Sequence, residues 1–172
     1  QELLDYSKGG ISLNLRVVQL GTWLDKLTGH MTENLAEADI RFTMNVNFSR
    51  DVIMDEARVR RAVLNLLTNA SHSMPQGGEL TIVTDETDGQ WRLSVIDTGP
   101  GIPADLRSRV FEPFGTLGNG SDTGLGLAIA KDVVKGHGGS LSFETRTASE
   151  AEGQEPGTTF LIEIPVTPDQ AG

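Results

Sequence analysis

The apolar run Leu93-Ser94-Val95-Ile96 leads into an acidic, glycine-rich turn, Asp97-Thr98-Gly99-Pro100-Gly101-Ile102, and a second glycine run, Thr123-Gly124-Leu125-Gly126-Leu127, opens a helical pattern further along. Each arrangement leaves backbone amides exposed at the end of a regular element, where glycine lets a ligand come close. Amides at a helix N-terminus suit phosphate oxygens. Phe111-Glu112-Pro113-Phe114 lies between the two runs, and the order points to a nucleotide.

The rest of the chain must supply a fold that places these turns together. Asp55 to Met74 reads as the strongest helix, because Val59, Ala62, Val63, Leu66, Leu67 and Ala70 form one stripe and Pro75 with Gly77-Gly78 ends it. Ile40, Phe42, Met44, Val46 and Phe48 alternate with polar residues, the pattern of a half-buried strand. Leu80–Thr84 and Trp91–Ile96 read as a hairpin across Thr87-Asp88-Gly89, Leu125 to His137 as a helix, and Ser140–Thr145 and Thr159–Pro165 as strands. The polar excursion Thr147–Gly157 between the last two is expected to be a mobile hairpin loop. Val17 to Ala38 carries apolar residues near helical spacing and is read as one helix despite Gly21 and Gly29. Helices thus alternate with hairpins rather than with single strands. The expected class is α/β, a two-layer sandwich of a mixed β-sheet with helices on one face, not a doubly wound parallel sheet.

Length suits one domain: residues 11–166, preceded at 1–10 by the end of an earlier helix and followed at 167–172 by a tail. Composition narrows the partners. The formal charge of −10 repels a nucleic-acid backbone, so no DNA or RNA surface is expected. The chain has no cysteine, which excludes disulfides and thiolate metal sites and fits a reducing, cytoplasmic setting. No apolar run approaches the ~20 residues that cross a bilayer, and Gln1-Glu2-Leu3-Leu4-Asp5 lacks the order of a signal peptide, so no membrane contact is expected.

Asn65 and Asn69 are one helical turn apart and face the same way. Their amide oxygens are hard, neutral donors suited to magnesium, although an isolated Asn-x-x-x-Asn more often faces solvent or caps a turn. Asp97 as a carboxylate only accepts hydrogen bonds, which suits an exocyclic amino group such as that of adenine; taken alone it is more often a turn aspartate. Gly124-Leu125-Gly126-Leu127 offers helix-start amides to phosphate, or is simply a loop before a helix. No Gly-Lys-Ser/Thr of a P-loop is present, and His30, His72 and His137 lack metal-ligand spacing, which leaves them surface or structural roles.

Together the runs resemble the catalytic ATP-binding domain of sensor histidine kinases, of the superfamily that also holds gyrase-type and mismatch-repair ATPases. Asp55–Ala70 resembles the asparagine box, Asp97–Ile102 the first glycine box, Phe111–Phe114 the phenylalanine box, Thr123–Leu127 the second glycine box and Gly157-Thr158-Thr159-Phe160 the last motif. The resemblance implies a Bergerat-type fold and the cofactors ATP and Mg2+. It implies that Asn69 coordinates the metal with Asn65 beside it, and that Asp97 recognises adenine in a pocket shaped by Gly99, Gly101 and Ile102. Ser73 would lie along the adenine, Thr158 would support Asp97, and Gly124, Leu125, Gly126 and Leu127 would approach the phosphates under a lid at 115–122. Ser71–Leu80 and the short lid are most similar to kinases of the nitrogen-regulation type.

Asn65 stands where the superfamily's ATPases place a water-activating glutamate, which implies slow hydrolysis and favours transfer. The lid Gly115–Asp122 lacks Lys and Arg, and Asp122 replaces a glycine. None of the three histidines has the family's acceptor context. The chain therefore reads as the donor half of a kinase that passes the γ-phosphoryl group of Mg-ATP to a histidine on a dimerisation domain, and indirectly to a response regulator. An anti-sigma-type serine kinase and a non-catalytic nucleotide sensor are the alternatives, and the Leu3–Ser7 helix remnant argues against the first.

Overall fold

The computed structural model describes residues 12–29, 31–115 and 124–167. Strand β1 (Arg16–Gln19) runs into helix α1 (Leu20–Gly29) and the short α2 (Thr32–Glu37). Then come β2 (Ile40–Val46), β3 (Asp51–Met54), α3 (Glu56–Ser73), β4 (Gly78–Thr87) and β5 (Gln90–Asp97). A 3-10 helix (Ala104–Arg109), α4 (Gly126–Gly136), β6 (Ser140–Arg146) and β7 (Gly157–Pro165) complete the chain.

The expected two-layer sandwich is the fold. Five strands form one mixed sheet in the order β2-β4-β5-β7-β6, with β2 parallel to β4 and every other pair antiparallel. Alternation along the strands decides which face is covered. Leu80 and Ile82 of β4, Trp91, Leu93 and Val95 of β5, and Phe160, Ile162 and Ile164 of β7 are buried in one core with the apolar stripes of α3 and α4. Trp23 of α1 meets Trp91 edge-on at 6.0 Å, so α1 joins the same layer. The opposite sheet face is polar: Arg92 lies between Asp85 at 3.7 Å and Glu163 at 3.6 Å, ion-pair distances in one cross-strand row.

The single helix expected over Val17–Ala38 is overturned. Val17 and Val18 belong to β1, which pairs antiparallel with β3 in a separate two-stranded ribbon, and the helical remainder is divided between α1 and α2. The β-branched pair favours extended backbone, and α1 ends at Gly29. Val166 ties the ribbon to the main sheet, accepting from Ile53 N–H at 3.2 Å and donating to Gly89 O at 2.9 Å. Strand β2 stops at Val46, earlier than the alternation through Phe48 suggests, because the chain turns inward: Phe48 is buried and its carbonyl accepts from Thr84 Oγ1 at 3.0 Å.

The excursion between β6 and β7 is a hairpin loop, as expected, stitched by Thr147 N–H to Glu150 Oε2 at 2.9 Å and by Arg107 to the same carboxylate at 2.6 Å. The expectations for residues 1–10, for His30, for the lid beyond Gly115 with Asp122, and for the tail beyond Thr167 lie outside the described residues. No described helix is long and apolar enough to cross a membrane.

Candidate nucleotide site

Three elements end at one place: the C-terminal half of α3, the end of β5, and the start of α4. Asp97, the last residue of β5, is only 5% exposed. Its Oδ1 accepts from Gly99 N–H at 2.9 Å and from Thr158 N–H at 3.3 Å, whereas no hydrogen bond reaches Oδ2 from the described residues. Burial raises the Asp97 carboxyl from 3.8 to about 6, and the two amides only partly offset it. Thr158 thus supports Asp97 directly through its amide, while its hydroxyl meets Thr145 Oγ1 at 2.9 Å.

The glycines around Asp97 are there for lack of room. Gly101 has φ +76°, and a Cβ on it would stand 2.2 Å from Arg146 O. A Cβ on Gly157 would stand 2.2 Å from Asp97 O. At Gly99 a Cβ would come within 2.6 Å of Ser73 Oγ and 2.9 Å of Asp97 Oδ1, so hydroxyl, carboxylate and bare backbone converge. Ser73 Oγ itself donates to Ala70 O at 2.8 Å.

Ile102 is buried and held through both backbone groups: its N–H donates to Thr145 Oγ1 at 2.8 Å, and its carbonyl accepts from Arg107 Nε at 2.9 Å. Sequence reasoning missed Thr145 and Arg107. Thr145 is an ordinary strand threonine until β6 is set beside β7, which brings its hydroxyl to Gly157 O at 3.2 Å.

Asn65 and Asn69 lie half-buried on one side of α3, as their spacing requires. They differ in engagement. Asn65 Nδ2 donates to Gly126 O at 3.0 Å, which joins α3 to the start of α4, whereas the Asn69 amide makes no side-chain hydrogen bond among the described residues. Leu125 and Leu127 are buried, so they present only backbone to a ligand. Helix α4 has Leu125 as its N-cap with no side-chain cap, which leaves first-turn amides for an anion. Gly124 has φ +69° and its carbonyl accepts from Phe114 N–H at 3.0 Å, linking the phenylalanine and glycine runs. Phe111 stacks edge-on with Phe143 at 5.7 Å and Phe160 at 6.2 Å, while Phe114 is 67% exposed. Among the described residues no group of three or more His, Cys, Asp or Glu could hold a metal ion.

A family model described as histidine kinase-, DNA gyrase B-, and HSP90-like ATPase matches residues 54–168. The signal transduction histidine-protein kinase/phosphatase MprB of Mycobacterium sp. (strain KMS) is 42% identical over 134 residues, 76% of this chain and 25% of MprB. Full-length ShkA in complex with AMPPNP superposes with a TM-score of 0.80 at 28% identity, over 95% of this chain and 34% of that one. Histidine kinase ThkA, solved in complex with the response regulator protein TrrA, superposes with a TM-score of 0.79 at 27% identity, over 98% and 46%. The chain spans about a quarter of the length of MprB. These likenesses point to sensor histidine kinases generally and do not single out the nitrogen-regulation type.

Proposed function

The chain belongs to the histidine kinase-, DNA gyrase B-, and HSP90-like ATPases, as the catalytic domain of a sensor histidine kinase, and on that footing we propose that it binds Mg-ATP and donates the γ-phosphoryl group to a histidine on the dimerisation domain of a longer, cytoplasmically acting kinase. The observation that carries this reading is Asp97: a buried carboxylate with one oxygen tied by two amides and no hydrogen bond on the other from the described residues, at the meeting point of α3, β5 and α4. An amino group on adenine is the donor that this oxygen lacks. Gly99, Gly101, Ile102 and Ser73 then wall the base, and Thr158 holds Asp97 in place.

The donor set fits magnesium: the Asn69 amide makes no side-chain hydrogen bond among the described residues, and Asn65, whose NH2 donates to Gly126 O, keeps its amide oxygen as a donor to the metal. When bound, the metal neutralises charge on the phosphates. This chain's own part in phosphoryl transfer is positioning, with the amides of Gly124, Leu125, Gly126 and Leu127 directed at the phosphate end. An amide at position 65 has no basic lone pair for activating water, so hydrolysis is slow and transfer to a presented histidine dominates. The response regulator is served indirectly, from the phosphorylated acceptor domain. The likeness at Ser71–Leu80 to nitrogen-regulation kinases is the proposed subtype.

Incubating the chain with γ-labelled ATP, Mg2+ and a separately made acceptor domain tests this. Acid-labile, base-stable label on the acceptor histidine is expected. Acid-stable label on serine would assign the chain to the serine kinases, and nucleotide binding without transfer would make it a sensor.

A further inference from the structure

His137 is buried at the C-cap of α4, far from the nucleotide site, and the function above makes no use of it. Its ring is bonded on both nitrogens. Nε2 accepts the backbone N–H of Asp55 at 2.9 Å, and since that nitrogen must be the acceptor, Nδ1 carries the proton and donates to Val133 O at 2.7 Å. Asp55 is the N-cap of α3. Its side chain accepts from Arg58 N–H at 3.2 Å and Asn14 N–H at 2.9 Å, so His137 grips the one residue that anchors the start of the asparagine-bearing helix.

The start of α4 is tied to the middle of α3, where Asn65 Nδ2 donates to Gly126 O. Asp55 and Asn65 are ten residues apart and Gly126 and His137 eleven, so α3 and α4 run antiparallel between two polar ties about 15 Å apart, at the ~1.5 Å rise of a helix. Between the ties the shared core takes Val59, Ala62 and Val63 from α3 and Ala130, Val133 and Val134 from α4. Apolar packing is non-directional, whereas a hydrogen bond to a fixed amide is not. The two ties therefore fix how far α4 slides along α3.

We infer that His137 is a positioning residue for the phosphate end of the nucleotide site: through Asp55 N–H it sets the register of α4 on α3, and with it the separation of Asn65 and Asn69 from the amides that open α4. The inference rests on the nucleotide reading of that site. At the adenine end, Asp97 and Ile102 are held by Gly99, Thr158 and Thr145, none of which belongs to α4, so their placement does not depend on this register.

Three binding measurements on the 172-residue chain test it. His137→Asn retains a donor near the Nδ1 position and loses the acceptor for Asp55; His137→Gln places an amide oxygen near Nε2. Loss of a buried hydrogen bond predicts that His137→Asn binds Mg-ATP about tenfold more weakly while adenosine affinity stays within about twofold, and that His137→Gln recovers most of the Mg-ATP affinity. In the wild type, reciprocity requires saturating Mg-ATP, and not adenosine, to slow hydrogen exchange of the Asp55 amide at the far end of α3. Equal losses of Mg-ATP and adenosine, unchanged Mg-ATP affinity in a destabilised His137→Asn, or, should that variant not fold, Asp55 exchange indifferent to Mg-ATP, would each overturn the inference while wild-type binding leaves the proposed function standing. A wild type that binds no Mg-ATP overturns both.

Discussion

Asn65 donates its side-chain amide to the carbonyl of Gly126, 3.0 Å away, so the asparagine helix is bonded directly to the first residue of the helix that the second glycine run opens. A Cβ on Gly126 would lie 3.4 Å from Asn65 Cγ, an ordinary van der Waals contact, so the tie does not itself demand glycine there. The two halves of the site are held together by protein before any ligand enters. Asn65→Ala should therefore cost about 1 kcal/mol of fold stability, the usual worth of such a bond, in addition to weakening Mg-ATP binding. Thermal unfolding with and without nucleotide reads both effects, and an unchanged melting temperature would count against the tie.

Asn69 should behave differently. Because its amide makes no hydrogen bond among the described residues, Asn69→Ala should leave stability nearly unchanged and remove the part of ATP affinity that depends on Mg2+. Calorimetric titration with Mg2+ and with EDTA separates the two. Undiminished Mg-ATP affinity would remove Asn69 from the metal's ligands.

Gly101 tests the shape of the adenine turn. Its φ of +76° and the 2.2 Å approach of Arg146 O to a built Cβ mean that Gly101→Ala must move either the turn or β6. A destabilisation on the order of 2 kcal/mol or more is expected from strain and overlap together, with loss of adenosine binding. Urea unfolding measures the first and fluorescence competition the second; an alanine variant with wild-type stability would contradict the close packing of the turn on β6.

Much of this was legible in the chain itself. Helix α3 and the β4–β5 hairpin are long and strongly periodic, and Asp97, Asn65 and Asn69 stand out because their types and spacing are unusual beside apolar runs. Strands β1 and β3 are four residues each, too short for a period to show, and they exist only through their pairing with each other. Thr145 and His137 carry no local signal. Thr145 meets Ile102 across 43 residues and His137 meets Asp55 across 82, so their roles arise from tertiary placement alone. The glycine-run leucines Leu125 and Leu127 show the converse: position in a motif does not say whether side chain or backbone faces the ligand.

The raised Asp97 carboxyl makes a pH prediction with a definite sign. A folded-state value of about 6, above 3.8, means the folded form prefers the proton: this stabilising contribution is full below 3.8 and lost as pH rises through about 6. At pH 7.5 the buried charge is therefore a cost, and Asp97→Asn, which keeps an oxygen for the Gly99 and Thr158 amides, should be more stable than wild type by on the order of 2 kcal/mol, the gap closing below pH 6. Adenosine affinity of the wild type should fall as pH drops through about 6, because a protonated carboxyl loses acceptor capacity. Adenosine serves better than ATP here, since its ribose and base carry no phosphate that titrates nearby. Unfolding curves at pH 5 and 7.5 for both forms check the first part, and affinity independent of pH would contradict the second.

The role of Asp97 is tested most directly by titrating ATP and GTP separately into the wild-type chain with Mg2+ by calorimetry. Guanine presents a carbonyl oxygen where adenine presents its amino group, so GTP would set two acceptors against each other at a carboxylate that is 5% exposed. The account predicts that ATP binds at least about a hundredfold more tightly, as expected when a buried polar group is left opposed. Equal affinities for ATP and GTP would contradict it.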